Sequence, residues 1–216
     1  PFIQVLKEAG AEEQNALRDF YEVQDSIFYR ESTRNVEIAA LPLDDYRVTV
    51  MIDYNSPVLG SQHASITNIR QFEKEIASCR TFCFLHELEM LYKNNLIRGG
   101  DLNNAIVIVD RVVEEYELEH IAKMLNKPKV EVKKEGILNN IELRYNNEPA
   151  RHKLLDIIGD LALAGRPLKA QILAARPGHA ANVAFAKKLK KAMAETDKKV
   201  SRVTIRLCHR LWISGR

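Results

Sequence analysis

The chain has 216 residues, 46% hydrophobic and 28% charged, enough to bury one good core and a small second unit. It lacks any run of about 18 apolar residues, so no membrane span is expected, and three cysteines without a C-x-x-C pair exclude a disulfide framework or a Cys-type zinc site. The net charge of +3 sits at one end: residues 197–216 carry six basic groups against Asp197 alone, which leaves 26 basic and 28 acidic residues before them and a body that is no polyanion binder.

The chain opens on Pro1, with no basic-then-apolar leader, and reads as starting inside a longer product. Residues 1–21 predict an amphipathic helix with Phe2, Val5 and Leu6 on one face, a break at Gly10 and a capped restart. Short strand-like runs follow in "SIFYRE", "VEIAALPL" and "YRVTVMIDY", the last alternating like a half-buried antiparallel strand. "RQFEKEIASC" and "FLHELEMLYKNN" read as helices, and "GGDLNNAIVIVD" as a turn feeding a strand from Ala105 to Val109. Residues 114–140 mix a charged helix with a β-like "VEV" and read as an inserted peripheral element.

A helix then begins near "NNEP", where Asn147 or Glu148 can cap it and Pro149 fits its first turn; Gly165 and Pro167 stop it. "LKAQILAARPGH" predicts a strand and turn, and "AANVAFAKKLKKAMAE" a last amphipathic helix. The predicted class is α+β, a two-layer sandwich of mostly antiparallel sheet with helices packed on one face. The predicted units are residues 1–21, a body at 22–196 and a basic tail at 197–216.

The chemistry concentrates in "HKLLDIIGDLALAG", where His152, Asp156 and Asp160 recur at i, i+4 and i+8 along one edge of an apolar helix. His152 and Asp156 at that spacing can bind one ion together. An exposed ion pair with a solvated Asp160 has the same spacing, so the pattern alone decides nothing. "RPGHAAN" sets His179 at the start of the last helix, and an Asp160 facing it would make an oriented acid/base unit. "CRTFCF" offers the Thr81 hydroxyl among aromatic residues, and "IDYNSP" offers Tyr54 as a stacking surface; each also fits a plain core edge or turn.

Taken together, "PFIQVLKEAG", "IDYNSP", "RTFCFLHELEMLYKNNLIRGGDLNNAIVIVD", "RHKLLDIIGDLALAG" and "RPGHAAN" resemble the zinc-dependent UDP-3-O-acyl-N-acetylglucosamine deacetylases of lipid A biosynthesis. The resemblance spans residues 1–196, and the H-K-x-x-D-x-I-G-D helix is its most specific stretch. It implies Zn²⁺ as cofactor, with His152 and Asp156 as two of three ligands. His179 matches the histidine that assists the reaction and protonates the leaving amine, Asp160 its orienting partner, and Thr81 an oxyanion-side hydroxyl. Lys153 matches a lysine near the nucleotide and diphosphate, and Asp53 and Tyr54 match positions at the uracil end. Phe82 and Gly100 match sugar-side contacts, and Phe84 a wall of the acyl passage. The implied partner is a UDP-linked acylated glucosamine, and the implied compartment is the cytoplasm, as the free thiols also indicate.

The third zinc ligand and the glutamate base of this family lie in a first domain, and the resemblance begins only at that domain's last helix. His63, His86 and His120 fall outside the corresponding motif. The expectation is a second domain whose N-terminal partner is missing, inactive alone and quick to lose zinc. Some members continue into a hydroxyacyl-carrier-protein dehydratase module, whose pattern the tail does not show. The alternative is a non-catalytic module that holds a nucleotide-sugar or acyl ligand without metal chemistry.

Overall fold

The computed structural model describes residues 2–93, 105–124, 127–134, 136–139 and 141–213. Its main sheet runs β2 (Ile27–Glu31), β3 (Val36–Pro42), β8 (Leu168–Ala175), β4 (Tyr46–Asp53), β5 (Ser61–Ile66), and β1 (Tyr21–Glu22) also pairs with β8. The class is α+β, as expected, but the sheet is mixed: β8 is antiparallel to β3 and parallel to both β4 and β1. The strand that comes last in the chain is thus inserted between two that are neighbours in sequence.

Period-2 burial gives the sheet one covered face. Val36, Ile38 and Ala40 of β3, Val48, Val50 and Ile52 of β4, and Ala170, Ile172 and Ala174 of β8 are buried in alternation. Over them lie α5 (Glu148–Ala162) and the first half of α6 (His179–Ile213). α5 contributes Ala150, Leu154, Ile157 and Leu161, spaced three or four apart, and α6 contributes Ala181, Phe185, Leu189 and Met193 in the same way. Pro149 sits in the first turn of α5, and Gly165, at φ +94, turns the chain just past its end. α6 runs unbroken through residue 196, where the charge balance changes.

A side unit is built from β6 (Thr81–Phe84), α3 (Leu85–Lys93) and β7 (Ala105–Ile108), a parallel pair with a helical crossover, followed by α4 (Glu115–Met124). The run from Ala105 to Val109 serves two cores. Ile106 and Ile108 pack into the main one, while Val107 and Val109 join Leu85, Leu88, Ile121 and Leu138 in a second. That explains a strand with no polar alternation.

Three local expectations fail. Helix α1 (Phe2–Ala9) forms, with Phe2, Val5 and Leu6 exposed, but residues 11–20 form no second helix. Leu17 there is fully exposed, and a short helix without a packed face is marginal in water. "RQFEKEIASC" divides into a 3-10 turn, Ile69–Gln71, and the single-turn α2 (Phe72–Glu75). The turn is fixed by a reciprocal cap between Asn68 and Gln71. The third is the cap of α5: Asn147 holds the position without a capping side-chain bond, and Glu148 turns inward instead.

Candidate active site

α5 lays its polar edge where the covered face of the sheet meets β6 and the start of α6. His152 and Asp156 keep only 15% and 7% of their side-chain surface, and Asp160 keeps 16%, so this edge does not face bulk water. Burial of two carboxylates requires donors or cations, and the structure supplies them. Lys153 Nζ donates to Asp156 Oδ2 at 3.0 Å, and Asp160 Oδ2 takes His179 Nδ1 and Asn182 Nδ2, each at 2.9 Å. His179 Nε2 lies 3.9 Å from Asp156 Oδ2, which joins the two carboxylates through one imidazole.

His152 Nε2 stands 3.5 Å from Asp156 Oδ1. Two donors bound to a tetrahedral zinc at ordinary bond lengths are roughly 3.3 Å apart, so the pair matches one edge of that coordination figure. Lys153 holds the other oxygen, which leaves Oδ1 as the atom that would face an ion. Burial pulls the His152 pKa below its ordinary value, against the raising effect of Asp156, and keeps the ring neutral as a ligand needs. The residues present therefore fit a zinc ion in donor type and spacing. Among the described residues no group of three or more His, Cys, Asp or Glu is placed to hold a metal.

An aromatic wall adjoins the edge. Phe82 meets His152 edge-on with ring centres 6.4 Å apart, and Tyr54 packs edge-on against Phe82 at 5.6 Å and Phe84 at 5.7 Å. Burial, with the charges of Asp156 and Glu87, pushes the Tyr54 phenol up to about 12, so it stays a donor. Thr81 is exposed at the start of β6, beside Phe82. Asp53 accepts the Asn55 amide at 3.0 Å and the Ser61 hydroxyl at 3.1 Å, and these bonds, with Arg176 nearby, hold its carboxyl below the usual range. Its carboxylate is thus committed to the turn after β4. Gly100 lies outside the described residues.

What fixes β6 against α5 is a buried ion pair absent from the sequence reading. Glu148, with no exposed surface, accepts the Arg80 amide and Nε on Oε1, and Arg80 Nη2 and the Arg144 amide on Oε2. Arg80 directly precedes Thr81. Asn182 was also missed. It is fully buried, and while its Nδ2 reaches Asp160, its Oδ1 has no partner among the described residues, an omission that costs about 1–3 kcal/mol.

The family model for UDP-3-O-acyl N-acetylglycosamine deacetylase matches residues 1–127 and 121–191. The chain belongs to this deacetylase family. Among its relatives, the "Bifunctional enzyme LpxC/FabZ" of Chlorobaculum tepidum is 48% identical over 194 residues, 88% of this chain and 42% of the relative. Its namesake in Bacteroides thetaiotaomicron is 39% identical, over 88% of this chain and 41% of the relative. The UDP-3-O-acyl-N-acetylglucosamine deacetylase of Chlamydia felis is 36% identical, over 87% and 59%. The chain thus spans about half the length of the curated relatives it matches.

Proposed function

We propose that this deacetylase-family chain carries one side of the site that removes the N-acetyl group of a UDP-linked 3-O-acyl-N-acetylglucosamine, releasing acetate, in lipid A biosynthesis. The observation that carries the reading is the joint geometry of α5 and α6. His152 Nε2 and Asp156 Oδ1 stand 3.5 Å apart, and the His179–Asp160 pair touches the same Asp156 carboxylate from the far side.

His152 and Asp156 are the zinc ligands in this reading; bound there, zinc polarises the amide carbonyl and makes water nucleophilic near neutral pH. Asp160 holds the Nδ1 hydrogen of His179, so Nε2 faces the reacting side. An amide nitrogen leaves only when protonated, and His179 is the exposed proton carrier on this edge, with 69% of its side chain open. The same imidazole, when cationic, donates to the oxygen on which negative charge develops. Lys153 orients Asp156 through its bond to Oδ2. In this reading Thr81 would lend its hydroxyl to the developing oxyanion, Phe82 would contact the sugar, and Phe84 would line the acyl passage. In the family pattern Lys153 stands near the nucleotide and diphosphate, Asp53 and Tyr54 at the uracil end, and Gly100 on the sugar side.

The reading assigns the remaining zinc ligand and the general base to a first domain of the enzyme, outside the described residues. It assigns the cytoplasm as compartment, where Cys79 and Cys83 stay reduced. No helix among the described residues is long and apolar enough to cross a membrane.

The test measures zinc content and acetate release for the enzyme at the family's full length. His152→Ala and Asp156→Ala should each lose zinc and turnover together, and His179→Ala should keep zinc but lose about a hundredfold or more in kcat. Substrate binding indifferent to His152 and Asp156, with no hydrolysis in the unaltered enzyme, would establish the non-catalytic ligand-binding module instead.

A further inference from the structure

We infer that Asn182 is a positioning residue for the His179–Asp160 pair, an inference that rests on the catalytic reading above. His179 opens α6 and Asn182 follows three positions later, so both project toward α5. Their nitrogens converge on one atom, Asp160 Oδ2, each at 2.9 Å. The first turn of one helix therefore grips a single oxygen of the other.

Asn182 is one of four polar residues buried among the described residues, with Ser56, Glu148 and Asp156. Glu148 is satisfied on both oxygens, whereas among the described residues Asn182 finds a partner only for Nδ2. Its orientation is decided by chemistry, because the flipped amide would set Oδ1 against Oδ2 with no proton between them. A leucine has the same number of side-chain heavy atoms and the same branching, without an orphaned acceptor. A side chain that is poor for packing, and whose one side-chain bond goes to the histidine's partner, is placed for that bond.

The arrangement passes order outward. Asn182 is fixed by burial, Asp160 is mostly covered and bound by it, and His179 is mostly open with little packing to hold its ring. With two donors on Oδ2, the carboxylate cannot rotate without breaking both. Remove the Asn182 donor and Asp160 is free to turn about its terminal torsion, so the imidazole loses its fixed tautomer and aim. Outer partners of this kind carry about tenfold to hundredfold of activity.

The experiment compares Asn182→Leu and Asn182→Ala with the unaltered protein in three measurements. Acetate release by the full-length enzyme gives kcat and KM. Long-range ¹⁵N correlation spectra of the 216-residue chain give the His179 tautomer, and thermal unfolding gives stability. Expected for Asn182→Leu are kcat down about tenfold to hundredfold with KM nearly unchanged, a mixed tautomer, and a melting temperature equal to or above the parent's. Asn182→Ala should show the same kinetic and spectroscopic loss. Parental kcat in both, loss of kcat with the Nδ1–H tautomer intact, or failure of both variants to fold overturns the inference. His179→Gln and Asp160→Asn separate the two levels: if either keeps parental turnover, the catalytic reading itself falls. If both lose it while Asn182→Leu does not, only the role of Asn182 falls.

Discussion

Glu148 is the clearest case of a single residue holding the site in shape. Burial pushes its pKa up, but the Arg80 side chain and the amides of Arg144 and Arg80 outweigh that and bring it below the usual carboxylate value. A carboxyl whose pKa is depressed in the folded state adds stability above its unfolded pKa and loses it as pH falls through the folded value. Glu148→Gln keeps the shape but strands the Arg80 guanidinium, only 12% exposed, without a counter-charge. It should cost about 3–5 kcal/mol in urea unfolding at pH 7, and the gap between the variants should narrow below about pH 4.5. A gap that stays constant on acidification would show that the charge of Glu148 is not what stabilises the fold. The cysteines give a second prediction at this scale. Burial, aided by Glu148 at Cys79 and Glu87 at Cys83, pushes both thiols up to about 11. In a Cys208→Ser background at pH 8, alkylation followed by mass spectrometry should be slower in the folded chain by about two orders of magnitude than in urea. Equal rates would mean that both thiols are open to solvent.

Elements were legible where local pattern and tertiary packing agree. α5 carries its own stop in Gly165, and β3 and β4 alternate because one face is covered. β5 escaped notice because Ser61, Gln62 and His63 give it a polar first half, and only Ala64 and Ile66 reach the core. The parallel β4–β8 ladder was not legible either, since the connection between β3 and β4 is short enough for a hairpin and nothing local announces that β8 will separate them. At the site, periodicity placed His152, Asp156 and Asp160 on one edge, and a helix start placed His179. The meeting of α5 with α6 then joined them. Asn182 was invisible because an asparagine in a first turn looks the same whether solvated or buried. The segment after β7 offers a test at this scale. Gly136 has φ +71, and a Cβ there would lie 2.4 Å from Val58 Cγ1, across from the turn after β4. Gly136→Ala should therefore cost about 2–4 kcal/mol in chemical denaturation, and Val58→Ala in the same chain should return part of it. No loss in the single variant would show that the loop moves away freely.

On the proposed reading, the molecule as a whole has an asymmetric relation to zinc. α5 presents two zinc-type donors at the right separation, both already held: His152 by burial against Phe82, and Asp156 by Lys153. Pre-organisation of this kind lowers the cost of binding but does not replace coordination bonds. Catalytic zinc sites use three protein donors, and loss of an outer partner alone weakens a site about tenfold to hundredfold. Loss of a direct donor is worse, so the 216-residue chain should hold zinc roughly a hundredfold or more weaker than the enzyme at full family length. Competition against a chromophoric chelator measures this directly. The linkage gives an independent readout, because an ion that binds only the folded state stabilises in proportion to the logarithm of its concentration over Kd. Near-stoichiometric zinc should thus leave the melting temperature of the chain almost unchanged, and His152→Ala should remove the small rise seen at higher zinc. If the chain retains zinc against the chelator as firmly as the full-length enzyme, the two donors on α5 are not a partial set, and the assignment of a third ligand to another domain is wrong.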